Sequence, residues 1–189
     1  MRAFRLAVIA TALLPSAFAQ LAPGKLLIAT NKLKDADLSR SVILLIQYDK
    51  QAALGLIVNR PSDVPVSEVF PELAKTSAGT VHVWAGGPVT IGIRALVRAP
   101  FRPADAQDLF DDVSVISTKS LMLKLLSAST PPDNLRVYAG YVGWTSQQLR
   151  NEVASGLWLV RAGEPGAVFD PDPAALWTRL LTPRRQSRD

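Results

Sequence analysis

The apolar positions of this chain fall into short β-like runs in its first half and into a mixture of strand and helix patterns in its second. Lys25–Ala29 (KLLIA) and Ser41–Tyr48 (SVILLIQY) read as strands. The second is apolar almost without alternation, which suits a central strand covered on both faces. Ala53–Asn59 (ALGLIVN) follows so closely that an antiparallel hairpin through Asp49–Ala52 is expected, because a parallel crossover needs about a dozen residues or more. From Arg60 to Pro71 three prolines predict a loop with one short helical turn near Val66–Phe70, opened by Pro65. Thr80–Ala85 returns to strand. Gly86-Gly87-Pro88 marks a turn in which at least one glycine takes a positive φ, and Ile91–Arg98 is extended again. A short polar helix or turn is expected after Pro103, then a strand at Val113–Ile116.

In the second half Ser117 is the expected N-cap of a helix over Lys119–Ser127, and Leu135–Ala139 reads as a strand. Thr145 and Gln148 stand in capping-box relation, so a helix starts at Ser146 and stops before Gly156, with Leu149 and Val153 facing inward. Trp158–Arg161 and Val168–Phe169 read as short strands. Asp172 and Pro173 cap a last helix carrying Leu176, Leu180 and Leu181, which Pro183 ends. No repeat or long linker interrupts Leu21 to Leu181, so one α+β domain, residues 20–182, is expected. Hydrophobic residues make up 48% of the chain and charged ones 20%, which is globular rather than disordered composition. A chain of 189 residues buries roughly 70% of its unfolded surface, enough to need no disulfide or metal staple.

The first residues change the reading of compartment. Arg2 and Arg5, an apolar stretch from Leu6 to Leu14, and Ala17-Phe18-Ala19 have the three zones of a secretory signal, so residues 1–19 are expected to be cleaved, between Ala19 and Gln20. The apolar stretch is far short of the ~20 residues that span a bilayer, so the mature chain is expected to lack a transmembrane anchor and to reside in the periplasm or beyond. Removing Arg2 and Arg5 lowers Lys+Arg from 21 to 19 against 16 Asp+Glu, leaving a net charge of only +3. Arg184, Arg185 and Arg188 lie in the terminal segment 183–189, read as a basic solvated tail. Export and mild charge together argue against nucleic acid as a partner.

The chain contains no cysteine, which excludes thiol nucleophiles, thiolate metal sites and redox dithiols. Its single histidine, His82, excludes a histidine-rich metal site and sits in a strand pattern beside Trp84, opposite Val81 and Val83. Neither phosphate-binding loop GxxxxGK nor GxGxxG is present, nor the GxSxG elbow or a Ser-x-x-Lys dyad. Asp105, Asp108, Asp111 and Asp112 lack the ligand spacing of a calcium loop and read as a solvated face. No cofactor and no metal are expected. One constellation remains: Asn59 and Arg60 at a strand end, the Gly86–Gly87 turn, and Trp144 beside the helix that starts at Ser146. An arginine fork, free helix N–H groups and an indole wall suit a small anionic ligand. Each residue also has a structural reading, with the glycines turning the chain, Asn59 capping a loop and Trp144 packing the core.

Taken in order, GKLLIAT, RSVILLIQYD, GLIVNRP, AGGPV, GYVGWTSQQLRNEV, GLWLV and VFDPDPAALWTRLL over Gly24–Leu181 resemble the AlgH/YqgE family. The resemblance implies a compact α+β fold with a split or bifurcated mixed sheet flanked by helices. It also implies a family without established enzymatic chemistry, often labelled as transcriptional regulators. Two features depart from the pattern. Family members usually begin at the first strand and look cytoplasmic, whereas an export signal precedes it here. Leu96-Val97-Arg98 also stands where the family tends to have a histidine, and Ser117–Leu126 lacks the usual acidic residue. The expected function is a non-enzymatic binding or regulatory module for a protein or small anionic ligand. The alternative is a hydrolase or transferase acting on such a ligand near Asn59, Arg60 and Trp144.

Overall fold

A computed structural model describes residues 20–100, 102–128 and 134–182. The expected signal peptide at 1–19 and the basic tail at 183–189 lie outside the described residues. Among the described residues ten strands and five α-helices form one α+β unit around a single curled sheet. Strand β2 (Val42–Tyr48) is central, with Val42 to Leu45 wholly buried, and pairs antiparallel with β1 (Lys25–Ala29) and β3 (Ala52–Ile57). The hairpin between β2 and β3 is closed by the Asp49 carboxylate, which accepts from the backbone N–H groups of Gln51 and Ala52 at 2.8 and 3.0 Å. The Gln47 side-chain amide and these two N–H groups hold the Asp49 carboxyl below the usual carboxylate range.

Strand β9 (Leu135–Thr145) is the spine, because its two halves have different neighbours. Its second half pairs antiparallel with β3, from Gly55 opposite Val142 to Ala52 opposite Thr145. Its first half pairs in parallel with β5 (His82–Ala85), Trp84 opposite Tyr138 and Ala85 opposite Ala139, and β5 carries β4 (Pro61–Pro65) on its other edge. Along the opposite edge β9 meets β6 (Val89–Arg98), then β8 (Val113–Ile116) and β7 (Ala106–Phe110). Strand β10 (Trp158–Ala162) ends the sheet beside β1. The sheet therefore forks at Gly86, whose N–H donates to Ala139 O at 2.8 Å while its carbonyl accepts from Ile57 N at 2.9 Å. A Cβ at Gly86 would stand 2.3 Å from Gly140 O, so only glycine permits three backbones to meet there.

The helices cover three apolar clusters. Short α4 (Pro165–Val168) and α5 (Pro173–Leu181) bring Val168 and Leu176 onto Leu26, Leu44 and Tyr138. Helices α1 (Val66–Val69) and α2 (Lys119–Ser127) bring Val66, Met122 and Leu126 onto Val97 and Val137. Helix α3 (Ser146–Ala154) places Leu149 over Leu27, Trp144 and Trp158.

Several elements differ from the sequence reading. The polar turn after Pro103 is instead strand β7, joined to β8 through Asp111–Asp112 with Phe110 opposite Val113. Asp105 and Asp111 take positive φ there, at 65° and 45°, which short polar side chains tolerate. Part of the proline-rich loop is strand β4, held at an edge where missing N–H groups cost little. Val168–Phe169 is not a strand: Pro165 at the first helical position starts α4, and Phe169 ends it. Thr118, not Ser117, occupies the N-cap position of α2 and makes no side-chain cap bond.

Candidate functional site

Asn59 and Arg60 lie where the chain leaves β3 for β4. The Asn59 side chain is committed to the backbone: Oδ1 accepts from Val42 N at 2.8 Å, and Nδ2 donates to Arg40 O at 3.0 Å. That second bond holds Arg40 in a left-handed conformation, φ 58°, an arrangement that requires support from its surroundings. Arg60 Nη1 donates to Asp37 O at 2.8 Å, tying the 35–40 turn to the same corner. Arg40, from that turn, places its guanidinium carbon 5.2 Å from the ring centroid of Trp177 on α5. Trp177 is anchored in turn, since Nε1 donates to Ala29 O at 2.7 Å.

These side chains, with Ser39, Ala174 and Thr178, line a groove of about 310 Å³. Its electrostatics follow from what the arginines lack. Neither Arg40 nor Arg60 forms a salt bridge among the described residues, and the carboxylates of Asp170 and Asp172, which precede α5, are engaged by Arg179. Two guanidinium groups therefore face one polar groove beside an indole, an arrangement that can receive an anion by charge-assisted hydrogen bonds. No group of three or more histidine, aspartate or glutamate side chains positioned for a metal occurs among the described residues.

The other residues singled out in the sequence go elsewhere. Gly86 and Gly87 sit at the sheet fork, where Cβ atoms would meet Gly140 O at 2.3 Å and the Tyr141 carbonyl carbon at 2.3 Å. Trp144 is 6% exposed beneath α3. Its Nε1 and that of Trp158 both donate to Glu152 Oε2, at 3.0 and 2.8 Å, and the two rings meet edge to face at 6.0 Å. Trp144 stands opposite Ala53 across the β3–β9 pair, so about 20 Å of strand separates that level from Asn59. The wall beside Asn59 and Arg60 is Trp177, and the second cation is Arg40. Arg40 and Trp177 lie in the motifs RSVILLIQYD and VFDPDPAALWTRLL, yet neither was singled out as a site residue, because the role of Arg40 depends on a bond from a residue 19 positions later.

The AlgH-like family model matches residues 26–186, nearly the whole of the described domain. The chain belongs to the AlgH-like family. Among AlgH-like relatives, the UPF0301 protein of Streptomyces avermitilis is 33% identical over 176 residues, spanning 88% of this chain and 87% of that one. That of Thermobifida fusca is 36% identical over 174 residues, with 86% of each chain covered. Two solved structures share the AlgH-like fold. A Corynebacterium diphtheriae protein superposes with a TM-score of 0.70 at 25% identity, covering 87% of this chain and 89% of that one. The solution structure of AlgH from Pseudomonas aeruginosa gives 0.68 at 25% identity, covering 87% and 93%. The split sheet expected from the resemblance is thus the fold observed.

Proposed function

We propose that the protein is an exported, non-enzymatic binding module that holds a small anion in the groove between Arg40, Arg60 and Trp177. The observation that carries this reading is the pair of guanidinium groups lining one groove with no carboxylate paired to either. Arg60 is half-buried and Arg40 exposed; a half-buried arginine normally meets a carboxylate or phosphate, and here the lining supplies neither. The side chains present around them favour binding over turnover, because both polar atoms of the Asn59 side chain are bonded to backbone groups and no histidine, aspartate or glutamate lines the groove. The rival reading, a hydrolase or transferase built on Asn59, Arg60 and Trp144, draws no support from the distance between Trp144 and the other two. Export rests on the charged, apolar and Ala17-Phe18-Ala19 zones of the N-terminus.

Calorimetric titration with inorganic phosphate and with citrate tests the site. Saturable binding is expected, weakened about tenfold in Arg60→Ala, the scale of one charge-assisted hydrogen bond. Absence of saturable binding by both anions, or equal binding by the variant, refutes it. N-terminal sequencing of the native protein recovered from a periplasmic fraction is expected to begin at Gln20, and an unprocessed cytoplasmic chain refutes export.

A further inference from the structure

A second groove, of about 560 Å³, is lined by β4, β5, Pro171 and the first residues of β9, among them Arg136. Arg136 is 8% exposed and forms no salt bridge among the described residues. Its Nη1 donates to Val168 O at 2.8 Å and its Nη2 to Asp170 O at 2.7 Å. The guanidinium carbon lies 4.0 Å from the Trp84 ring centroid and 5.6 Å from that of Phe169. Two of its five N–H groups thus donate to backbone carbonyls, and its charge is met by those dipoles, two ring faces and the neighbouring Tyr138 phenol, with no carboxylate paired to it among the described residues. Beside it the Tyr138 hydroxyl is fully buried; the Arg136 guanidinium acts on it, but no hydrogen bond of good geometry joins them. Burying a cation without a counter-charge is costly, and an unpaired, nearly buried arginine in the wall of a groove points to a bound anion that completes it.

We propose that this groove binds a small monocarboxylate with an apolar body, its carboxylate on the free N–H groups of Arg136 and its body against Trp84, Val81 and Pro171. Three features select that class. The volume is that of an organic ligand rather than a bare ion. Arg136 is the only lysine or arginine in the lining, so one negative charge balances it, and the exposed Asp63 carboxylate in the same lining works against a dianion. The flat guanidinium matches a flat carboxylate edge, while valine, proline and indole surfaces take up the remainder. This groove shares no lining residue with the one formed by Arg40 and Arg60, and it does not rest on the reading given to that site.

The test is two-dimensional ¹H–¹⁵N NMR of the full chain titrated with phenylacetate. The Arg136 Nε–H and Trp84 indole N–H resonances are expected to shift along a saturating curve. Phenylacetamide, the same shape without charge, is expected to leave them in place, and phenyl phosphate to bind more weakly than phenylacetate. Arg136→Leu removes the staple to Val168 and Asp170 along with the charge, so the informative variant is His82→Asp. His82 is an exposed residue of the same lining. A carboxylate there is expected to weaken phenylacetate about tenfold by like-charge repulsion while leaving the fold intact. Arg60→Ala is expected to leave it unchanged. Linear shifts, an equal response to phenylacetamide, tighter binding of phenyl phosphate, or no effect of His82→Asp would overturn the assignment.

Discussion

Tyr138 shows how a single residue sets a pH limit on the whole fold. Burial pushes its phenol well above the ordinary value of 10.0, with the Arg136 charge pulling part of the way back. At neutral pH the group is uncharged in both folded and unfolded chains and contributes no pH dependence. Above a pH of about 10 the unfolded chain loses its proton first, so stability falls as pH rises beyond that point. Tyr138→Phe removes both the titration and a buried hydroxyl that makes no hydrogen bond of good geometry. Its urea midpoint is expected to match or exceed that of the parent at neutral pH, and to decline less steeply at alkaline pH. A lower midpoint at neutral pH would mean that the hydroxyl is satisfied in solution. Nothing in the strand pattern of Leu135–Ala139 distinguishes this phenol from any other inward aromatic, since its burial is set by α4 and α5, which arrive some 30 residues later.

Among the elements, those with local chemistry of their own were legible. Strand β2 announced itself by apolar residues on both faces, and α5 by Asp172, which accepts from Ala175 N at 3.2 Å. Helix α3 was legible at Thr145, whose hydroxyl accepts from Gln148 N at 3.1 Å, but not at the other half of the box. The Gln148 amide turns instead to Glu152 Oε1 at 2.9 Å. Glu152 thereby holds three donors at once, two of them indole N–H groups from β9 and β10, and fastens the helix to two strands. Glu152→Ala leaves both indoles without an acceptor in a cluster where each is at most 6% exposed, so a loss of about 2 kcal/mol is expected from urea unfolding. A loss no greater than that of the exposed neighbour Arg150→Ala would show that water replaces the carboxylate freely. Strands β4 and β7 were missed for the converse reason, being short, polar edge segments whose pairing is decided by a neighbour and not by their own pattern.

At the scale of the molecule, the two grooves and the fork are one arrangement. Strand β3 leaves β9 at Gly55 and runs on through Asn59 and Arg60 into β4, while β5 takes its place against the first half of β9. The chain crossing from β3 to β4 contributes Asn59 and Arg60 to one groove and Pro61 to Asp63 to the other. The family resemblance implied a split sheet, and the structure places its fork between the GGP turn, read only as a turn, and the GYVGW segment of β9. Its grooves were not foretold, because nothing in the local spacing of Arg40, Arg136 and Trp177 shows that they come together with residues distant in the chain. The fork depends on close backbone contact. Gly140 takes φ 75°, and a Cβ there would stand 2.6 Å from Val89 O and 2.8 Å from Gly87 O. Gly140→Ala must therefore push β6 and the Gly87 turn away from β9 as well as strain its own backbone. A loss of more than about 2 kcal/mol is expected by denaturant unfolding, against little change in Gly166→Ala, where nothing lies within 4 Å of the added carbon. If Gly140→Ala were as stable as Gly166→Ala, the three strands could not be meeting as closely as the fork requires, and the placement of both grooves would fall with it.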